Sequence, residues 1–190
     1  MSDWIESIPS AVKGHRQFIE WLVQHMRPAI VVELGVDYGY SAFVFERALA
    51  SLDNSFSRVY GIDWFQGDSS TGFRDTRQAV MNKIEEHDLK QLTLVKGEFS
   101  EIEKVWTMQI GILFIDGSHD YKSVKEDFDK WSKHVHRHGV ILMHDTNVPG
   151  FGVKQVFDEA QGYYKHEFLH SAGLGVLSEN MHLIEYIKKF

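Results

Sequence analysis

The chain reads as an α/β protein, a doubly wound, mostly parallel seven-stranded sheet of Rossmann-like type that ends in an antiparallel C-terminal hairpin. Three observations predict this. Short apolar, β-branched runs alternate with segments of helical periodicity; the runs starting at residues 30, 57 and 110 each end at an acid, and the run over 139–145 ends in His-Asp; the last two runs are parted only by a short turn. Strands covered on both faces read as continuous apolar runs, and open α/β sheets bind ligands where such strands end.

Taken in order, Trp4, Ile5 and Ile8 suit a short amphipathic cap. Phe18, Ile19, Leu22, Val23 and Met26 then share one helical face over 15–26, which Arg27-Pro28 closes. Residues 1–27 thus form an N-terminal cap and helix on a single domain spanning 1–190. The first strand, Ile30-Val31-Val32-Glu33, passes through a turn carrying Gly35 and Gly39 into a helix that begins near Ser41. A second strand covers 57–63 and ends at Asp63. The segment 64–72, with Gly67 and Gly72, is the candidate mobile loop. A helix over 74–87, with Val80 and Ile84 inward, leads to a third strand at 92–97 and a fourth, the most apolar, at 110–116. Val124, Phe128, Trp131 and Val135 mark a helix over 124–135, and the fifth strand spans 139–145. A loop with Pro149, Gly150 and Gly152 precedes a helix over 153–160, and strands at 167–171 and 175–177 form the closing hairpin.

Composition narrows the function. With 190 residues, 43% hydrophobic content and three prolines the chain suits one folded domain. A formal net charge of −7 offers no electrostatic footprint for nucleic acid. The lack of cysteine removes disulfides, thiolate nucleophiles and zinc sites of the Cys type. No apolar run approaches the roughly 18 residues that cross a membrane, and no basic segment followed by an apolar one opens the chain, so a cytoplasmic protein with no membrane partner is expected. A homo-oligomer is compatible with all of this.

The glycine turn is informative by its departures. Glu33-x-Gly35-x-x-x-Gly39 sets an acid where the dinucleotide fingerprint G-x-G-x-x-G has its first glycine. An acid there repels pyrophosphate and attracts an ammonium or sulfonium. Asp63, 30 positions on, suits the hydroxyls of a ribose, and Trp64 beside it either covers an adenine face or joins the core. His134, His136 and His138 resemble a metal tract, but at the end of the 124–135 helix they read as solvated imidazoles favoured by the helix dipole.

Residues 30–145 as a set resemble the class I S-adenosylmethionine-dependent methyltransferases. E-L-G-V-D-Y-G-Y-S from Glu33 looks like their first motif, G-I-D-W from Gly61 their second, and V-K-G-E-F from Val95 the turn after their third strand. I-D-G-S-H-D-Y-K-S-V-K-E-D-F from Ile115, followed by G-V-I-L-M-H-D-T from Gly139, looks like the branch with cephalosporin-hydroxylase-type and macrocin O-methyltransferase-type proteins, with catechol O-methyltransferase a more distant relative. The resemblance implies a Rossmann-like methyltransferase fold and O-methylation of a small-molecule acceptor. Glu33, Gly35, Gly39, Tyr40 and Ser41 would surround the methionine part of S-adenosylmethionine, Asp63 and Trp64 its ribose and adenine, and Gly97, Glu98 and Phe99 the adenine pocket. Asp116 would serve cofactor and catalysis alike.

In metal-dependent relatives a divalent ion is held after strands four and five, here at Asp116 and at His144-Asp145. An imidazole is a poor ligand for magnesium and a good one for manganese, iron or zinc. Either the metal differs, or His144 stands behind the ligands, or no metal binds and His144 is a base or a buried, hydrogen-bonded histidine. His119 occupies the place of a lysine base in the catechol-type enzymes, with Lys122 the alternative. Two rival readings are a nicotinamide-dependent oxidoreductase, against which Glu33 speaks, and a cofactor-binding protein without transferase activity.

Overall fold

The computed structural model describes residues 3–52, 54–68 and 72–190. Its core is a seven-stranded sheet of β1 (Ile30–Leu34), β2 (Arg58–Asp63), β5 (Leu92–Lys96), β6 (Ile110–Ile115), β7 (Val135–His144), β8 (Tyr164–Phe168) and β9 (Leu174–Ser178), in the spatial order β5-β2-β1-β6-β7-β9-β8. The first five run parallel, β9 is antiparallel to β7, and β8 antiparallel to β9. The expected architecture, including the closing hairpin, is what the chain adopts. Two further strands of two residues each, β3 (Gly67–Asp68) and β4 (Gly72–Phe73), pair antiparallel beyond β2. Within the segment expected to be mobile, 69–71 lie outside the described residues.

Strand pleating distributes the apolar runs to two cores. On one face Val31, Ile112 and Phe114 pack with α1 (Arg16–Met26), α2 (Tyr40–Ala50), Val80 of α3 (Arg77–Glu86) and Ile184 and Ile187 of α7 (Met181–Ile187). On the other, Val32, Leu113 and Ile115 pack with Val124, Phe128 and Trp131 of α5 (Tyr121–Trp131) and Val153 and Phe157 of α6 (Val153–Glu159), while Phe99 and Ile102 of the short α4 (Phe99–Glu103) flank this core. Neighbouring strand positions go to opposite faces, so a strand covered on both sides must be apolar throughout.

Three sequence expectations are corrected. The helix expected over 124–135 stops at Trp131, and β7 starts at Val135 rather than 139, because Val135 pairs with Ile110 before a register shift to Ile112 and Val140. His134 therefore sits in a 3-10 turn, against Glu103 at 2.8 Å, while His136 and His138 are strand residues and not helix-end imidazoles. The hairpin strands lie at 164–168 and 174–178, and the α7 helix was not expected at all. Its Asn180 cap, which accepts from the backbone N–H groups of His182 and Leu183, is the local signal that marks it.

Candidate active site

The strand-end acids converge on one rim of the sheet. β1 runs between β2 and β6, with Glu33 beside Gly61 and Phe114, so the turns after all three strands are neighbours. Gly35 has φ +94° and lies so close to the Asp116 carbonyl that a Cβ there would stand 2.2 Å from its oxygen. Gly39, at φ +87°, caps the start of α2. Asp63 braces this turn: one carboxylate oxygen accepts from the backbone N–H of Val36 and Asp37, at 2.8 and 3.0 Å, and the other from Phe65 at 2.6 Å.

Glu33 is not a surface charge. It sits inside β1, fully buried, where its Oε1 accepts from the Ser41 hydroxyl and its Oε2 meets no partner. Burial, reinforced by Asp116 and Asp63, pushes its carboxyl well above the ordinary range. The charge expected to repel pyrophosphate at the turn is thus disfavoured, because the end of β1 is covered on both faces, Glu33 and Leu34 alike being fully buried. Tyr40, also buried, turns its hydroxyl to Glu6 of the N-terminal segment at 3.0 Å. Of the two aromatics after Asp63, Phe65 enters the core while Trp64 is left 38% exposed. Gly97 donates its N–H to the Asp63 carbonyl at 3.0 Å, Glu98 caps α4, and Phe99 packs on Gly117 so closely that a Cβ there would touch the ring at 2.8 Å.

Beside this turn Asp116, His144 and Asp145 form a cluster whose ligating atoms all lie within 4.8 Å of one another. His144 Nδ1 is 3.0 Å from Asp116 and 3.3 Å from Asp145, and Nε2 donates to the Ser171 carbonyl at 3.1 Å. Burial alone would lower the His144 pKa, but the Asp116 carboxylate, then Asp145, outweigh it and raise it to about 10. Burial likewise opposes ionisation of Asp145, yet hydrogen bonds from His119 and His144 hold it well below the usual carboxylate range. His119 Nε2 lies 2.9 Å from Asp145, and its ring stacks on Phe151 at 4.2 Å. Lys122 is exposed on the first turn of α5, outside this cluster.

The residues fit the groups that such a rim serves. The left-handed Gly35 and Gly39, at φ +94° and +87°, shape the backbone turn that a cofactor of this kind would meet. One imidazole and two carboxylates make a donor set for manganese, iron or zinc, and a ligating histidine ordinarily donates its other N–H to a carbonyl, as His144 does to Ser171. Sequence reasoning missed His15, fully buried, whose Nε2 reaches the same Ser171 carbonyl at 3.2 Å. No local pattern signals a contact across 156 positions.

Known proteins share this fold. A relative in Sinorhizobium fredii (strain NBRC 101917 / NGR234), the uncharacterized protein y4gI, is 33% identical over 175 residues, which cover 88% of this chain, and the chain spans only 19% of that protein's length. Among solved structures, an O-methyltransferase from Bacillus cereus in complex with SAH aligns with a TM-score of 0.68 at 16% identity, over 91% of this chain and 85% of its own. The O-methyltransferase TomG from Streptomyces achromogenes, in complex with SAM, aligns at 0.63 and 15%, over 90% and 88%. These likenesses show the fold. A family model described as a methyltransferase domain matches residues 32–146, well over half of the chain and all of the strand-end acids described above. The chain therefore belongs to the methyltransferase-domain family.

Proposed function

We propose that the protein transfers the methyl group of S-adenosylmethionine to a hydroxyl of a small-molecule acceptor, with a divalent cation held by Asp116, His144 and Asp145. The observation that carries the reading is the cluster of those three side chains beside the Gly35–Gly39 turn. When bound, the cofactor supplies an electrophilic methyl and the cation lowers the pKa of a coordinated hydroxyl.

The chain's own part is to position and to exclude water. Gly35 and Gly39 would let the backbone approach the methionine end above the buried Glu33–Ser41 pair, Asp63 would face the ribose, and Gly97, Glu98 and Phe99 would border the adenine. Trp64 stands at the rim of that pocket. His119, held by Asp145 and the Phe151 ring, is oriented to take the acceptor's proton; Lys122, exposed, is the less well placed alternative.

Calorimetric titration separates this from a nicotinamide enzyme. S-adenosylhomocysteine and Mn(II) are expected to bind, and NADH is not. Asp116→Ala and Asp145→Ala should each abolish Mn(II) binding, whereas binding of NADH alone would end the methyltransferase reading. Unchanged Mn(II) binding in both variants would remove the cation.

A further inference from the structure

The β8–β9 turn is folded around the cation site. Ser171, Ala172 and Gly173 are left-handed in succession, with φ of +49°, +68° and +90°. Two of the three carry a Cβ, and such conformations persist only where the surroundings enforce them. The enforcement is visible in three consecutive carbonyls. Ser171 accepts from the His144 ring at 3.1 Å, Ala172 from the Asn147 N–H at 2.8 Å, and Gly173 from the Asp145 N–H at 3.0 Å. Asp145 itself is left-handed, with φ +65°. The turn is a template that holds the His144 ring and the left-handed Asp145 in place.

The N-terminal segment grips that template from behind. His15 donates to the Ser171 carbonyl at 3.2 Å, so one oxygen serves both imidazoles, and His170 Nε2 lies 3.2 Å from the Gly14 carbonyl in return. The approach is so close that a Cβ on Gly14 would sit 1.9 Å from the Ser171 hydroxyl oxygen. His15 is fully buried against His144, Phe168 and His170, and its Nδ1 has no partner. A phenyl ring would satisfy packing alone without burying a lone polar nitrogen, so the imidazole is there for its single N–H.

We propose that His15 is a positioning residue for His144, acting through the shared Ser171 carbonyl, so that the N-terminal segment takes part in setting the geometry of the cation site. This rests on the cation reading above. Nε2 within reach of a carbonyl and a bare Nδ1 are the pattern of a neutral ring that donates from Nε2.

The test uses Mn(II) affinity by calorimetry and the visible absorption of bound Co(II), on the parent, His15→Phe and His15→Gln. His15→Phe is expected to weaken Mn(II) roughly tenfold or more, the effect usual for losing a group behind a metal ligand, and to change the Co(II) spectrum. His15→Gln, which keeps an N–H donor at the same reach, should restore most of both, which a packing role would not do. Equal affinities and superimposable spectra for parent and His15→Phe would overturn the inference while leaving the cation reading intact; a parent that binds neither ion removes both. Nitrogen-detected histidine NMR of the metal-free parent needs no variant. Nε2–H protons on His15 and His144 are expected, and a proton on His15 Nδ1 instead would refute the arrangement.

Discussion

At the scale of single residues, Glu33 shows how burial decides what a side chain can do. Its carboxyl has one partner, the Ser41 hydroxyl, and one bare oxygen, and burial raises its pKa. The folded protein therefore keeps a proton that the unfolded chain releases above the ordinary carboxylate range. Stability contributed by this site must fall as pH rises from about 4.5 upward, since there the unfolded state binds fewer protons. Glu33→Gln, neutral and of the same shape, should lose that slope: its melting temperature is expected to gain on the parent's as pH rises from about 4.5. Parallel curves would show that the carboxyl is ionised in the fold. The same residue marks a limit of sequence reading. The acid was legible, but its charge state was not, because the cover over the end of β1, which leaves Val32, Glu33 and Leu34 all without exposure, comes from segments distant in the chain.

At the scale of elements, the turns carry the site. The β1–α2 turn touches the β6–α5 turn through Gly35, whose φ of +94° already excludes most side chains and whose Cβ would strike the Asp116 carbonyl. Gly35→Ala is expected to cost at least about 2 kcal/mol by urea denaturation, from strain plus displaced backbone, and to weaken S-adenosylhomocysteine binding. A variant as stable as the parent would show that the two turns are free to part. Most elements here were legible because both faces of the sheet are covered, which leaves a strand no choice but to be apolar. β7 was read four residues short because His136 and His138 look polar, yet they extend the strand at the end where it leaves the core. α4 was missed because a helix of five residues has too little sequence to show a period.

At the scale of the molecule, ligand and fold are linked. If S-adenosylhomocysteine binds only the folded state, a hundredfold excess over its dissociation constant adds about 2.7 kcal/mol, a rise of roughly 5–10 °C for a chain of this size. A melting temperature unmoved by saturating S-adenosylhomocysteine would count against the cofactor site. No helix among the described residues is long and apolar enough to cross a membrane.

The sequence by itself determined the fold class and the placing of Asp63, Asp116, His144 and Asp145 on one rim of the sheet. Parallel strands separated by helices all end on the same rim, and the end residues of neighbouring strands, as Asp116 after β6 and His144-Asp145 at the end of β7, come together. Only the tertiary structure decided that Glu33 is sealed in the core, that His119 leans on Asp145 while Lys122 stays outside, and that His15 reaches Ser171. Those outcomes depend on burial and on contacts between segments far apart in the chain. Local periodicity carries no record of either.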